Sequence, residues 1–230
     1  LSAWKYAALV ELTRQKDEDL QRDGFIESEK STIACMIQTE YRKGWTGRLV
    51  ARTWRNGKGE IFRSPRYNAF LIRGREFEKQ LQSIVNWMKA SGRWPEGSDK
   101  GLDIEWWLEG HGSSIPLTID GPSLGAAFAI LLRSLLDLNV PDTKAVAAIA
   151  QVDENGVFHP LESDSVVKKV RALVHSSYRT DVVCMAKEQK FLSVKDDTEE
   201  FYVAEVDGEL QIMSPSDVGD TVLCLRADNV

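Results

Sequence analysis

Residues 120–138 read DGPSLGAAFAILLRSLLDL, and this stretch organises everything around it. From residue 122 to 138 apolar side chains fall on nearly every side of a helical turn, so the pattern predicts a helix buried all round. Leu124, Phe128, Leu131, Leu132 and Leu135 are its expected core residues. Such a helix needs covering layers, and its neighbours supply them. KAVAAIAQV at 144–152 predicts a buried strand, followed by a turn at 153–156 and a short strand at Val157-Phe158. LDIEWWL at 102–108, DVVCMA at 181–186 and residues 201–206 predict further strands. Residues 25–64 are rich in Ile, Val, Thr and aromatics and predict several more, with turns at Gly44, Gly57 and Gly59. Asn56-Gly57 is a hairpin signal. Residues 76–89 predict an amphipathic helix with Phe77, Leu81, Ile84, Val85 and Met88 on one face, and 164–176 predict another. Helices are also expected over 2–22, capped by Ser2, and over 215–225, beginning at Pro215. The outcome is an α+β fold: a mixed sheet, packed helices and a buried central helix.

Composition narrows the chemistry. The chain has 230 residues, 43% hydrophobic and 28% charged, enough to bury a core and too apolar for disorder. No run approaches the length of a membrane span. Cys35, Cys184 and Cys224 form no CxxC pair, which argues against a disulfide scaffold and a thiolate zinc site. HExxH and GxxxxGK[ST] are both absent, so zincin and P-loop chemistry are not expected, and no cofactor or metal is implied. A reduced, cytoplasmic setting is the default. The chain starts at Leu1 without a signal-peptide pattern, as a processed piece or fragment would.

Charge is unevenly spread. Arg42 to Lys79 holds eleven Lys or Arg and three Asp or Glu, in a chain of formal net charge −6. Trp45, Trp54, Phe62, Tyr67, Phe70 and Phe77 interleave with it, a mixture that fits nucleic-acid contact. It fits strands with solvated basic faces equally, and nucleic acid is not the favoured partner.

Asp120-Gly121-Pro122-Ser123 is the segment that carries chemistry. Local rules read Asp120 as an N-cap and Pro122 as a first-turn residue. A second reading makes Ser123 a nucleophile among unpaired N–H donors that can hold an oxyanion, with Gly121 and Gly125 leaving room for a substrate backbone. Its base would be a lysine made neutral by burial. Val166, Val170 and Leu173 mark the apolar face of the 164–176 helix. Lys169 lies about 40° from Leu173, at its rim, and Lys168 about 160° from Val166, towards solvent. Both lysines also fit as ordinary surface residues. The serine and lysine helices are expected to pack close together.

With these residues in place, 104–190 resembles the proteolytic domain of Lon proteases, which use a Ser–Lys dyad. The matching pieces are LEG at 108–110, DGPSLGAA at 120–127, the helix FAILLRSLL, the strand AVAAIAQV, NGVFHPL at 155–161, KKVRA at 168–172 and DVVCMAKEQK at 181–190. More loosely, 45–103 resembles the family's first strands and helix, and 210–225 its last helix. The resemblance implies residues 1–44 as an N-terminal helix and first-strand region and 45–230 as the proteolytic domain. It implies catalytic Ser123 and Lys169, with Asp120, Gly121, Pro122 and Gly125 shaping the site. Where the family has Gly-Gly after the Pro-apolar step this chain has Glu162-Ser163, and a lysine-positioning threonine is replaced by Ile149. Glu162 is a candidate to pair with Lys169. The implied function is peptide-bond hydrolysis without an ATPase in this chain, on a protein or peptide substrate that pairs with the 102–108 strand. Regulatory domains or partner proteins are expected, an oligomer is compatible, and a membrane is not expected. The alternative is a catalytically silent Lon-fold module that binds a protein or nucleic-acid partner.

Overall fold

The long β-rich stretch after residue 25 forms the backbone of one large sheet. The computed structural model describes residues 5, 7–8, 26–38, 42–68, 71–94, 101–110, 118–119, 121–136, 145–186, 194–195, 200–206, 209–213 and 222–227. Strand β1 (Ile26–Gln38) pairs antiparallel with β2 (Lys43–Gly57), from Gln38 opposite Lys43 to Ile26 opposite Trp54. Residue 44 falls inside β2, which shares one ladder with β1. Strand β3 is Ile61–Arg63, β4 Ile72–Arg73, β5 Gly101–Gly110 and β6 Thr118–Ile119. Then come β7 (Val146–Ile149), β8 (Gln151–Val152), β9 (Phe158–His159) and β10 (Val182–Ala186). The last four are β11 (Val194–Lys195), β12 (Glu200–Val206), β13 (Glu209–Met213) and β14 (Val222–Ala227). Ten of them form a mixed sheet in the order β11-β12-β13-β14-β10-β7-β1-β2-β5-β3. The described helices are α1 (Arg75–Ala90), α2 (Gly125–Leu136) and α3 (Ser163–Val174).

The sheet separates two cores because strand side chains alternate in direction. On β1, Ala34 and Met36 join Ala148 and Ala150 under α1 and α2. Ile33 and Cys35 point the other way and join Ala147, Ile149, Val183 and Met185 under α3. The first core is the larger and is rich in aromatics. Trp106 meets Phe128 edge-on at 5.0 Å, and Phe77 packs on both. All five core residues expected on the central helix are buried, as are the five on the face of α1. That helix opens with a 3-10 turn, Pro122–Leu124, before becoming α-helical.

Four local expectations give way to tertiary contacts. The Asn56-Gly57 turn does not make a hairpin, because β5 inserts between β2 and β3, antiparallel to one and parallel to the other. The Asp103 carboxylate organises that turn, accepting the Lys58 and Glu60 N–H groups at 2.6 and 2.9 Å. The same insertion makes β5 an interior strand, so it offers no edge to an extended substrate over Ile104–Trp106. Further along, the Asn68 side chain closes the edge by bonding both the N–H and the C=O of Leu108. The 144–152 strand splits at Ala150, where the chain leaves the large sheet to form the β8–β9 pair. Finally, 222–225 is part of β14 rather than a helix, laddered parallel to β10 and antiparallel to β13. The open flank of β10 supplies a hydrogen-bonding partner that local propensity cannot register. The rest of that expected helix, 215–221, lies outside the described residues. So does most of the 2–22 helix; Lys5, Ala7 and Ala8 are helical, and Ala7 is buried with Ile26, Trp54 and Phe62. No helix among the described residues is long and apolar enough to cross a membrane.

Candidate active site

Gly121 turns the chain from β6 into the central helix. Its φ of +91° is open to glycine and strained for other residues, and a Cβ placed there would meet nothing within 4 Å. Pro122 follows at the first position of the 3-10 turn, where its missing N–H costs nothing. Gly121, rather than Asp120, therefore holds the N-cap position. Asp120 lies outside the described residues, and so does the side chain of Ser123. The backbone of the Ser123 turn packs on α1, β1, β7 and β8.

Gly125 is demanded by packing. A Cβ there would lie 2.7 Å from Gln80 Cγ, so the glycine lets α1 close on the head of α2. The Gln80 amide goes on to bond the Val152 carbonyl, tying α1 to β8 beside the same turn.

Lys169 approaches from the other side of the sheet. Helix α3 lies over β1 and β2, with Val166, Val170 and Leu173 in its core. The lysine and serine helices thus occupy opposite faces instead of packing together, since the strands of the sheet claim the apolar face of each. Lys169 is 1% exposed, and its Nζ has no hydrogen-bond partner among the described residues. Burial lowers its pKa from 10.5 to about 8, with the nearby Cys35 thiol opposing the shift. A cation there is costly, and the neutral amine becomes the major form above about pH 8, well below the range of an exposed lysine.

Lys168 is different. Its Nζ lies 2.5 Å from Asp164, one turn back on the outer side of the helix. Glu162 is exposed at the N-cap of α3 and forms no ion pair with Lys169.

Two residues on the lysine side of the sheet carry no motif that could have revealed them. Cys35 on β1 is fully buried, and burial pushes its thiol up to about 12. Thr46 is its cross-strand partner on β2 and so shares its face. The Thr46 hydroxyl lies beside the thiol, favouring the thiolate slightly, without the alignment of a full hydrogen bond. Ile149, which stands where a threonine was expected from the resemblance, is an apolar member of this core. Thr46 brings a hydroxyl to that compartment from a different strand. A strand residue's partner depends on register, so only sheet assembly could expose this pairing.

The common ground of the two halves is β1 and β7. Ala34 pairs with Ala148, which puts Cys35 level with Ile149, the last residue of β7. Immediately beyond it, the Ala150 carbonyl accepts the Ala126 N–H at 3.4 Å from the start of the serine helix. The lysine compartment and the serine turn therefore both reach the end of β7. Comparison with family models and with curated proteins finds no match for this chain.

Proposed function

We propose that the chain is a Lon-like serine peptidase that hydrolyses peptide bonds with a Ser123–Lys169 dyad. The observation that carries this reading is the burial of Lys169 without a counter-ion among the described residues. A buried, unpaired ammonium destabilises a fold, and its retention is accounted for if the neutral amine is used as a base. Support also comes from the opposite half: a positive-φ glycine and a proline direct a serine into the first turn of a buried helix, beside the strand end that the lysine compartment shares.

In this reading the Ser123 hydroxyl gives its proton to neutral Lys169 as its oxygen attacks the substrate carbonyl carbon. Backbone N–H groups at the start of the helix receive the oxyanion. The Lys169 ammonium then protonates the leaving amine as the C–N bond breaks. A water, deprotonated by the regenerated neutral lysine, hydrolyses the acyl-serine ester and restores both residues. Because the working base is the neutral form, turnover rises with pH through about 8.

A serine-reactive fluorophosphonate, followed by peptide mass mapping, tests the reading directly. Labelling at Ser123 in the native chain, lost in Lys169→Met, is the expected result. Labelling that ignores the lysine substitution would remove the dyad.

A further inference from the structure

We propose that Thr46 is a positioning residue for Lys169, its hydroxyl oxygen accepting an N–H of the buried amine and leaving the nitrogen lone pair for the Ser123 proton. Thr46 Oγ1 and Lys169 Nζ are both buried, and neither has a hydrogen-bond partner among the described residues. A buried polar group without a partner is costly, and each of these two supplies what the other lacks. The hydroxyl has free acceptor positions, and the amine has N–H donors in either protonation state.

The backbone brings them to one place. Helix α3 packs on β1 and β2. A Cβ on Gly44 would collide with the Lys168 carbonyl oxygen, so glycine lets β2 press directly on the residue before Lys169. Thr46 lies two residues further along β2 on the same face, about 7 Å away along the strand. The four-carbon stem of a lysine spans that gap. Cys35, opposite Thr46 in the ladder, belongs to the core of Val166, Val170 and Leu173, the apolar face of the lysine helix. Cys35 and Lys169 also act on each other's ionisation, which agrees with an amine lying near this strand pair.

Cys35 decides which way the hydroxyl is used. The Thr46 hydroxyl lies beside the thiol and favours the thiolate, so its hydrogen belongs on the sulfur side. Its lone pairs are then left for a donor, and the amine is a donor in need of an acceptor. The reverse arrangement, with Thr46 donating to the nitrogen, would occupy the lone pair that a base needs. A hydroxyl is no counter-ion, so the amine keeps its lowered pKa.

The other polar groups on the surrounding elements are engaged elsewhere. Arg48, the next residue on that face of β2, pairs with Glu109. The Tyr178 hydroxyl donates to the Glu109 carbonyl at 3.4 Å. On α3, Lys168 pairs with Asp164, and Arg171 lines an outer cavity with Arg42 and His175. Strands β7 and β10 bring Ala147, Ile149, Val183 and Met185 to this core, and none of these carries a hydroxyl or a charge.

The role in turnover rests on the peptidase reading, so two measurements on the whole chain are kept apart. The first is the titration of Lys169, followed by NMR of isotopically labelled lysine and assigned with Lys169→Met. Thr46→Val removes an acceptor that favours the ammonium over the neutral amine, and should move the titration midpoint down by about one pH unit. Thr46→Ser keeps the hydroxyl and should leave the midpoint where it is. The second is cleavage of a fluorogenic peptide library over a pH series. Thr46→Val should lower kcat on the order of tenfold with KM unchanged, and Thr46→Ser should stay within about threefold of wild type. The rise of turnover with pH should move down together with the midpoint. Circular dichroism and thermal midpoints establish that both variants are folded. A Lys169 midpoint unmoved in Thr46→Val, or equal loss of kcat in the valine and serine variants, overturns the proposal. If the wild-type chain cleaves no peptide and Ser123 takes no fluorophosphonate, the peptidase reading fails by itself, and the NMR midpoint still decides whether Thr46 holds the lysine.

Discussion

Arg52 and Lys169 are both buried cations against the central sheet, and the protein handles them in opposite ways. Arg52 is 2% exposed, and its Nε donates to Glu105 Oε2 at 2.7 Å. The same oxygen accepts the Trp54 indole N–H at 2.8 Å, while the guanidinium lies 5.0 Å over Trp54 and 5.2 Å over Trp107. Its desolvation is offset by a carboxylate and two aromatic faces. Lys169 is buried as deeply with no counter-ion among the described residues, and the response is a lowered pKa instead of a partner. Paired burial fixes β2 against β5. Unpaired burial leaves a proton acceptor held in a dry place, which stability alone would not favour.

The sharpest way to break this contrast is through turnover. Ser123→Ala and Lys169→Ala should each reduce peptide cleavage by on the order of 10⁴-fold or more, with the fold retained. Cleavage that survives either change, measured on a fluorogenic peptide library, would make Lys169 merely a tolerated defect. The next effect concerns the paired cation. Glu105→Ala strands the Arg52 charge and should cost about 3–5 kcal/mol, read from denaturant midpoints at constant m-value. A cost below about 1 kcal/mol would place Arg52 with exposed pairs.

Lys169→Met should act in the reverse direction and stabilise the fold by about 3 kcal/mol at pH 7, from the shift of 10.5 to about 8. The sign follows from proton binding. Between pH 8 and 10.5 the unfolded lysine holds its proton and the folded one has lost it, so wild-type stability rises with pH across that window. Below it the penalty is complete and constant. The advantage of Lys169→Met should therefore shrink between pH 8 and 10.5. Cys35, raised from 9.0 to about 12, destabilises with rising pH over its own window, and because Lys169 lowers the thiol's pKa the two proteins are best compared between pH 7 and 9, before the thiol titrates. A destabilised Lys169→Met at pH 7 would mean the ammonium has a partner in solution. The smallest effect is expected next door: Lys168→Ala removes an exposed pair with Asp164 and should change stability by less than about 0.5 kcal/mol while sparing turnover.

Some of this was legible along the chain. The apolar run after Ser123 has no polar face, and a helix without one has to be buried wherever the rest of the chain goes. Periodicity on 76–89 likewise selects its core residues, because neighbours on a helix are set by local geometry alone. Helical phase also separates Lys169 from Lys168, and the structure buries the first and leaves the second beside Asp164. The turn at 153–156 follows local chemistry too, with Asp153 Oδ1 accepting the Asn155 and Val157 N–H groups and Gly156 at φ +78°.

Other features belong to the assembled sheet. Asn56-Gly57 is a hairpin sequence that loses its hairpin, since β5 arrives from more than forty residues away to occupy the place beside β2. The stretch at 222–225 becomes a strand because β10 has a free flank, and Gly125 makes room for Gln80. Cys35 and Thr46 share a face only through the β1–β2 register, and Arg42 and Arg171 line one cavity because Gly44 admits the helix. The sequence by itself determined which segments must be buried, which lysine turns inward and which serine heads the buried helix. Those follow from spacing within one element. Tertiary structure decided which strands pair, what surrounds the lysine and where the cations gather, because these depend on contacts between residues far apart in the chain, where local geometry has no hold.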